Sequence, residues 1–257
     1  MKKLFITFGS NQFKIQRKHL VNLVKKTEVY DYTIAFSPED LSSDFQSTFG
    51  NILKIEKGFG NWIWKADILK QTLKQMNQGD SLTYSSAGSS FNNLGIERLK
   101  HYFDLLESSN TGNLRFKLPE LYEREWTSKQ IFEYFNIPLT SKIALGEQYA
   151  ANTFMMKKNK TSEKIVNEFL NLLYSDENLI TNYYDSINQI DEFKENRNDQ
   201  SILSVLSKIH EVDTVLIQEQ NFARFDMNQY NYPFLSVRKK KYNLFQKLIF
   251  YINFKKN

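Results

Sequence analysis

The chain has 257 residues, a hydrophobic fraction of 41% and a formal net charge of +5, enough apolar material for one sizeable α/β core. It has no cysteine and three histidines, which excludes disulfides and thiolate metal sites and leaves a histidine-rich zinc site short of ligands. No apolar stretch approaches the roughly 18 residues that a membrane-spanning helix needs, and the run after Met1-Lys2-Lys3 is too short for a signal peptide. The chain is therefore expected in the cytoplasm or facing it. The aromatic fraction is 15%, and such rings fill cores or stack on sugars and bases.

In chain order, Leu4 to Phe8 followed by Gly9-Ser10 reads as a strand and its turn. Residues 17–26 carry Leu20, Leu23 and Val24 on one helical side, and Tyr30 to Phe36 is again strand-like. Ser37-Pro38-Glu39-Asp40 has the signature of a helix start, with serine as cap and proline at the first position. Ile68, Leu69, Leu73 and Met76 recur at helical spacing, Gly79-Asp80 breaks that helix, and Ser81 to Tyr84 is a short strand. Ile96, Leu99, Phe103 and Leu106 mark a further helix. This alternation predicts a single α/β domain over residues 1–237, with a mostly parallel central sheet and helices on both faces. Beyond about residue 110 the pattern is less regular, with helices expected at 128–135, 161–174 and 199–209.

Three segments could carry chemistry. Gly58 to Lys65 packs two glycines, Trp62, Trp64 and Lys65 ahead of a helix. Such a turn lets backbone approach a ligand closely and sets a cation at a helix start to meet a phosphate; it would serve equally as a tight turn over two buried indoles. Gly79 to Gly88 ends a strand in small residues with no acid at its tip. Arg197-Asn198-Asp199-Gln200 places a carboxylate and a carboxamide at a helix mouth, where an aspartate is commonly a cap.

The excess charge is local: Arg238 to Asn257 holds seven Lys or Arg and no acid. That distribution argues against nucleic acid, which wants basic residues along a whole face. Leu244, Phe245, Leu248, Ile249, Tyr251 and Ile252 share a broad helical face behind Arg238-Lys239-Lys240-Lys241. Residues 238–257 are thus expected to form a basic amphipathic tail that meets an anionic membrane surface, with a helix docked on the core as the alternative.

Together these segments resemble a family of bacterial glycosyltransferases of capsule and O-antigen loci, whose members carry G-x-G-Y-W-x-W-K-P, G-D-x-x-x-Y-x-D-A-G and H-R-x-D-Q-S-I-x-S. The first motif matches Gly58 to Lys65, with Asn61 for the usual tyrosine and Ala66 for the proline. The second matches Gly79 to Gly88, and the third Asn196 to Ser204, with Asn196 for the histidine. Thr7-Phe8-Gly9-Ser10, Trp126-Thr127-Ser128-Lys129 and Pro233 to Arg238 match more loosely.

The resemblance implies a GT-A-like fold and transfer of a hexosyl group from a nucleotide-sugar to a glycan acceptor on a lipid carrier, at the inner face of the cell membrane. It implies donor contacts from Thr7, Phe8, Gly9, Trp62, Trp64, Lys65, Tyr84, Ser86, Ala87, Gly88 and Arg238, with Asp199 on sugar hydroxyls and Gln200 beneath the anomeric carbon. It also implies retention by front-face transfer. A divalent Mn²⁺ or Mg²⁺ would normally accompany this fold, but the position of its carboxylate ligand is occupied by Ser86, a poor ligand for hard cations. Three readings follow: catalysis without metal, with Lys65 and Arg238 neutralising the diphosphate; recruitment of another acid such as Asp80; or a degenerate protein that binds nucleotide-sugar or glycan.

Overall fold

The computed structural model describes residues 1–216, 219 and 231–236. The amphipathic tail from 238 onward, including Arg238, lies outside the described residues.

A seven-stranded sheet runs through the molecule. Strands β1 (Lys3–Phe8), β2 (Tyr32–Phe36) and β3 (Ser81–Ser85) are mutually parallel, with β1 in the middle. Next to β3, antiparallel to it, lies β7 (Thr153–Lys157), which pairs in turn with the start of the long strand β5 (Asn113–Tyr122). The short β6 (Glu147–Tyr149) continues along that same side of β5, and β8 (Asp213–Leu216) runs parallel to β5 on the other. Among the described residues, five of the seven strands therefore point one way and only β6 and β7 oppose them. A small ribbon of β4 (Ser90–Phe91) and β9 (Phe234–Leu235) stands apart.

Both faces of the sheet are covered, as a continuous apolar strand requires. On one face Leu4, Ile6 and Phe8 of β1 join Phe154 and Met156 of β7 beneath α5 (Trp64–Gln75), α10 (Lys160–Ser175) and α11 (Asp199–Ile209). On the other, Phe5 and Met155 pack against α1 (Lys14–Lys25) and α6 (Ile96–Ser108). Alternate residues of one strand thus feed two separate cores. Short helical segments α2 (Ser43–Thr48), α3 (Gly50–Leu53) and α4 (Gly58–Asn61) bridge β2 to α5. Segments α7 (Glu123–Trp126), α8 (Lys129–Tyr134) and α9 (Lys142–Leu145) fill the β5–β6 connection.

The α/β architecture with a mostly parallel sheet agrees with the sequence reading, and helix α11 spans the predicted residues 199–209. The Ser37 start behaves differently. Its capping box with Asp40 is formed, but it opens only a three-residue 3-10 turn, Pro38–Asp40, because Leu41 swings to extended backbone and into the core. Strand β5 was not expected, although Leu114-Arg115-Phe116-Lys117-Leu118 alternates, and its polar side carries an inward-facing Arg115. Its guanidinium is buried, donating to Ser207 Oγ at 3.1 Å and lying 4.5 Å from the Phe154 ring centre.

The β4–β9 ribbon crosses the entry of α6 at Gly95. A Cβ added there would lie 2.2 Å from the carbonyl carbon of Tyr232 and 2.3 Å from the Pro233 nitrogen. Both obstacles are backbone, so the strand itself would have to move. Gly95→Ala is expected to destabilise the fold by about 1–3 kcal/mol, the usual scale of overpacking. Gly50→Ala, with open space around it, should change stability by no more than about 0.5 kcal/mol. Urea unfolding of the two variants side by side checks the contrast, and equal midpoints would refute it.

Candidate active site

The Gly58–Lys65 segment is a left-handed turn. Gly58, Phe59, Gly60, Asn61 and Trp62 take φ values of 63°, 52°, 82°, 52° and 63° in succession. Side chains in this region carry a penalty of roughly 1–2 kcal/mol each, so the turn persists only because its surroundings hold it. The Trp62 indole lies flat on Gly58, where a Cβ would meet its ring at 2.5 Å. Trp64 Nε1 donates to the Gly58 carbonyl at 2.9 Å, and the Gly60 N–H donates to the Ile55 carbonyl at 2.7 Å. Trp64 then enters α5 and stacks on Phe8, with 3.8 Å between ring centres and 16° between planes. The turn therefore aims the next side chain, Lys65, inward across the carboxyl end of β3.

Lys65 is 1% exposed. Its ammonium is ion-paired with Asp199, donates to the Ala151 carbonyl at 2.7 Å and lies 4.6 Å from the centre of the Tyr84 ring. Burial works to lower its pKa, yet the Asp199 charge and the Tyr84 hydroxyl outweigh burial and leave it above the ordinary lysine value. Burial also raises the Asp199 carboxyl, against the pull of Lys65 and the N–H groups at the helix start. Tyr84 is raised by burial in its turn. Its hydroxyl lies 3.3 Å from Ser86 Oγ, and the Ser86 N–H donates to the Asn152 carbonyl at 2.8 Å.

Asp199 is the first residue of α11, not its cap. That place falls to Asn198, at φ 57° and ψ −124°, whose side-chain amide donates to the Ile180 carbonyl at 2.7 Å. Asn196, at the motif's histidine position, donates to the carbonyls of Leu179 and Thr181 at 3.0 and 2.8 Å. These two buried carboxamides fasten the helix mouth to the 179–181 turn. Arg197 stacks over Trp126 at 4.0 Å from the ring centre, and Ser201 Oγ donates to the Trp126 carbonyl at 2.6 Å. The Trp-Thr-Ser-Lys segment thus supports the third motif from beneath.

A cleft of about 540 Å³ opens beyond the carboxyl ends of β1 and β2, the place where open α/β sheets bind ligands. Ser10, Asn11, Gln12, Pro38, Lys54, Glu56 and Phe59 are among the residues that line it. The buried Arg17 of α1 joins the two strand ends by donating to the carbonyls of Gly9 and Phe36 at 2.8 and 2.9 Å. Among the described residues Arg17 has no carboxylate in ion-pair contact.

The structure brings Lys65, Tyr84, Ser86 and Asp199 into one contiguous cluster, with the half-buried Gln200 beside it. Ala87 is buried behind Ser86, and Gly88 is partly exposed. Thr7, Phe8 and Trp64 are buried in the sheet and core, and Trp62 keeps a partly open face. Sequence reasoning missed Arg17, Gln148, Asn152 and the wall residue Phe59. Arg17 looked like an ordinary polar position of an amphipathic helix, and nothing local marks the others.

The sequence resemblance implies a divalent cation held by an acid beyond β3. The donor set here does not fit one: Ser86 is neutral, Asp199 is ion-paired to Lys65, and the described residues hold no group of three or more His, Cys, Asp or Glu. Recruitment of Asp80 is ruled out by position. It sits at the opposite end of β3, where its oxygens accept from the N–H groups of Lys2 and Asn77 at 2.7 and 3.1 Å.

No family profile and no curated protein matches the sequence. Solved structures do share the fold, glycosyltransferases among them. The bifunctional enzyme WbbM aligns with a TM-score of 0.53 at 11% identity over 93% of this chain and 46% of that one, so this chain spans about half of WbbM. A glycosyltransferase involved in glycosylation of the major capsid of PBCV-1 aligns at 0.49 and 8% identity over 91% and 92% of the two chains. The galactosyltransferase LgtC, with donor and acceptor sugar analogues, aligns at 0.44 and 10% over 89% and 83%. At these identities the likeness is one of fold. It defines the domain as GT-A-like.

Breaking the Lys65–Asp199 pair leaves a lone buried charge. Lys65→Met and Asp199→Asn are each expected to destabilise by about 3–5 kcal/mol, and the double variant by less than the sum of the two. A double-mutant cycle from denaturant unfolding measures the coupling; strictly additive losses would show that the pair contributes nothing jointly.

Proposed function

We propose that the chain is a glycosyltransferase that moves a hexosyl group from a nucleotide-sugar donor to a surface-polysaccharide acceptor carried on a lipid. The observation that carries this reading is convergence. Lys65, Tyr84 with Ser86, and Asp199 come from three separate motif-like segments, yet they form one cluster at the sheet edge where such ligands bind. Nothing in their sequence spacing demands that meeting.

In this reading the nucleotide occupies the cleft walled by Ser10, Asn11 and Phe59, below the buried positive charge of Arg17. Asp199, held by Lys65, accepts from donor-sugar hydroxyls, and Gln200 stands beneath the anomeric carbon. The bond from that carbon to the diphosphate breaks, the acceptor oxygen bonds on the same face, and its proton passes to the departing phosphate oxygen. Charge develops on the sugar ring and on the leaving group, so fixed dipoles and cations there lower the barrier. Lys65 serves as the counter-ion of Asp199, since its ammonium is already engaged by Asp199 and the Ala151 carbonyl. The donor is handled without metal, as the neutral Ser86 favours.

Thermal-shift titration with UDP-, GDP- and dTDP-sugars, each with Mn²⁺ and with EDTA, tests the site. A donor at 100 times its Kd should add about 2.7 kcal/mol of stability, equally in EDTA. Ser86→Asp should make binding respond to Mn²⁺. Strong EDTA sensitivity of the unaltered protein would refute the metal-free reading. Ser86 also favours a second reading, a protein that binds a nucleotide-sugar without transferring it; saturable binding with no turnover would establish that one.

The basic tail is proposed to hold the enzyme on an anionic membrane at its inner face. No helix among the described residues is long and apolar enough to cross a membrane. Each basic residue near a charged leaflet contributes about 1 kcal/mol, so a chain ending at Val237 should lose co-sedimentation with phosphatidylserine-containing vesicles. Unchanged sedimentation would remove the tail from the account.

A further inference from the structure

A line of buried polar groups runs from α11 and α7 to Gln200. Lys208 Nζ donates to Glu123 Oε1 at 2.8 Å, where both side chains are buried. Thr127 Oγ1 donates to Glu123 Oε2 at 3.0 Å. Gln148, which is 0% exposed, donates through Nε2 to Thr127 Oγ1 and to the Trp126 carbonyl, both at 3.1 Å. Gln200 Nε2 donates to Gln148 Oε1 at 2.7 Å.

The direction of every bond in this line is forced by chemistry. The Glu123 carboxylate, paired with Lys208, can only accept, so the single Thr127 hydroxyl proton must point toward it. Thr127 then has only lone pairs to offer Gln148, and the Trp126 carbonyl has only lone pairs as well. Gln148 must therefore turn its NH₂ toward both, which leaves its carbonyl oxygen facing Gln200. Gln200 must answer with its own NH₂. Its carbonyl oxygen has no protein partner among the described residues.

We infer that Gln148 is a positioning residue: it engages the NH₂ of Gln200 and so fixes its amide plane, leaving the carbonyl oxygen as the end free of a protein partner among the described residues. A free glutamine offers either end equally, because the two are nearly the same shape. Here the site is set to accept, and it favours a sugar hydroxyl proton or an electron-poor carbon over an anionic oxygen. The role in transfer rests on the glycosyltransferase reading, whereas the orientation of Gln200 does not.

The test uses two variants of the full chain. Gln148→Met removes the acceptor and frees Gln200. Gln148→Glu keeps an acceptor toward Gln200 while losing the donors to Trp126 and Thr127. The direct readout is hydrogen exchange of the Gln200 side-chain amide protons, followed by ¹H–¹⁵N NMR. The proton donated to Gln148 should be protected in the native protein and in Gln148→Glu, and should exchange about tenfold faster in Gln148→Met, as loss of one hydrogen bond allows. Exchange unchanged in Gln148→Met would overturn the inference.

Turnover of UDP-glucose, UDP-galactose or UDP-N-acetylglucosamine, whichever the native protein consumes, gives the second readout. Positioning requires kcat to fall more in Gln148→Met than in Gln148→Glu with KM little changed, although the buried glutamate is the more destabilising replacement. The reverse ranking, following stability, would reduce Gln148 to a structural role. If the native protein turns over none of these donors while its Gln200 amide is protected, the transfer reading fails and the orientation stands.

Discussion

An ammonium and a carboxylate removed from water each carry a desolvation penalty of several kcal/mol, and Lys65 and Asp199 are tolerated only because each is the other's partner. Much of the surrounding architecture serves that meeting. The left-handed turn at Gly58–Trp62 rotates α5 so that its second residue points inward, and Asn198 sets the start of α11 so that its first residue does the same. Ala151 supplies a carbonyl and Tyr84 an aromatic face, so the ammonium is enclosed without an unsatisfied hydrogen. A hydrophobic pair at these positions could be as stable. What the ion pair adds is direction: it ties the starts of two helices together and holds the one carboxylate among the clustered residues beside Tyr84 and Ser86.

The same region concentrates strain. Five successive positive φ values, three of them in residues with side chains, are retained by the stack of Trp64 on Phe8 and by the indole lying on Gly58. Backbone held in sparsely populated regions is found where surrounding structure over-determines it, and functional sites are a common setting. The two tryptophans therefore do not divide their labour as their symmetry in sequence suggests. Trp64 is a core residue that anchors the turn, whereas Trp62 lies on Gly58 and stays partly open.

How much of this was legible in the sequence depended on whether local pattern or distant contact decides the matter. Helix α11 and strand β3 announced themselves because their apolar spacing is local. The motif-like segments stood out through residues that are rare in combination, such as Trp-Ile-Trp-Lys. Strand β5 does carry the alternation Leu114-Arg115-Phe116-Lys117-Leu118, but nothing local says that its polar side is covered; the Ser207 hydroxyl of α11, 92 residues away, and the Met155 carbonyl of β7 receive the buried guanidinium. Gln148 was invisible for a similar reason. Its significance lies in which way its amide must face, and that is dictated by Glu123, Thr127 and Trp126 rather than by its neighbours in the chain.

The reversed strand β7 bears on how such a domain can change over evolutionary time. Strands β1, β2 and β3 leave the sheet at the functional edge and feed loops, where insertions are tolerated. At that same edge β7 enters, and only residues 150–152 separate it from β6. The Ala150 N–H is bonded to the Phe116 carbonyl at 2.8 Å, so this bend has no slack. One added residue would slide β7 against β3 and β5 and send its inward side chains to the opposite face. Length variation that remodels the cleft is thereby channelled into the loops after β1 and β2, while the Ala151–Asn152 bend beside Lys65 and Ser86 keeps a fixed length.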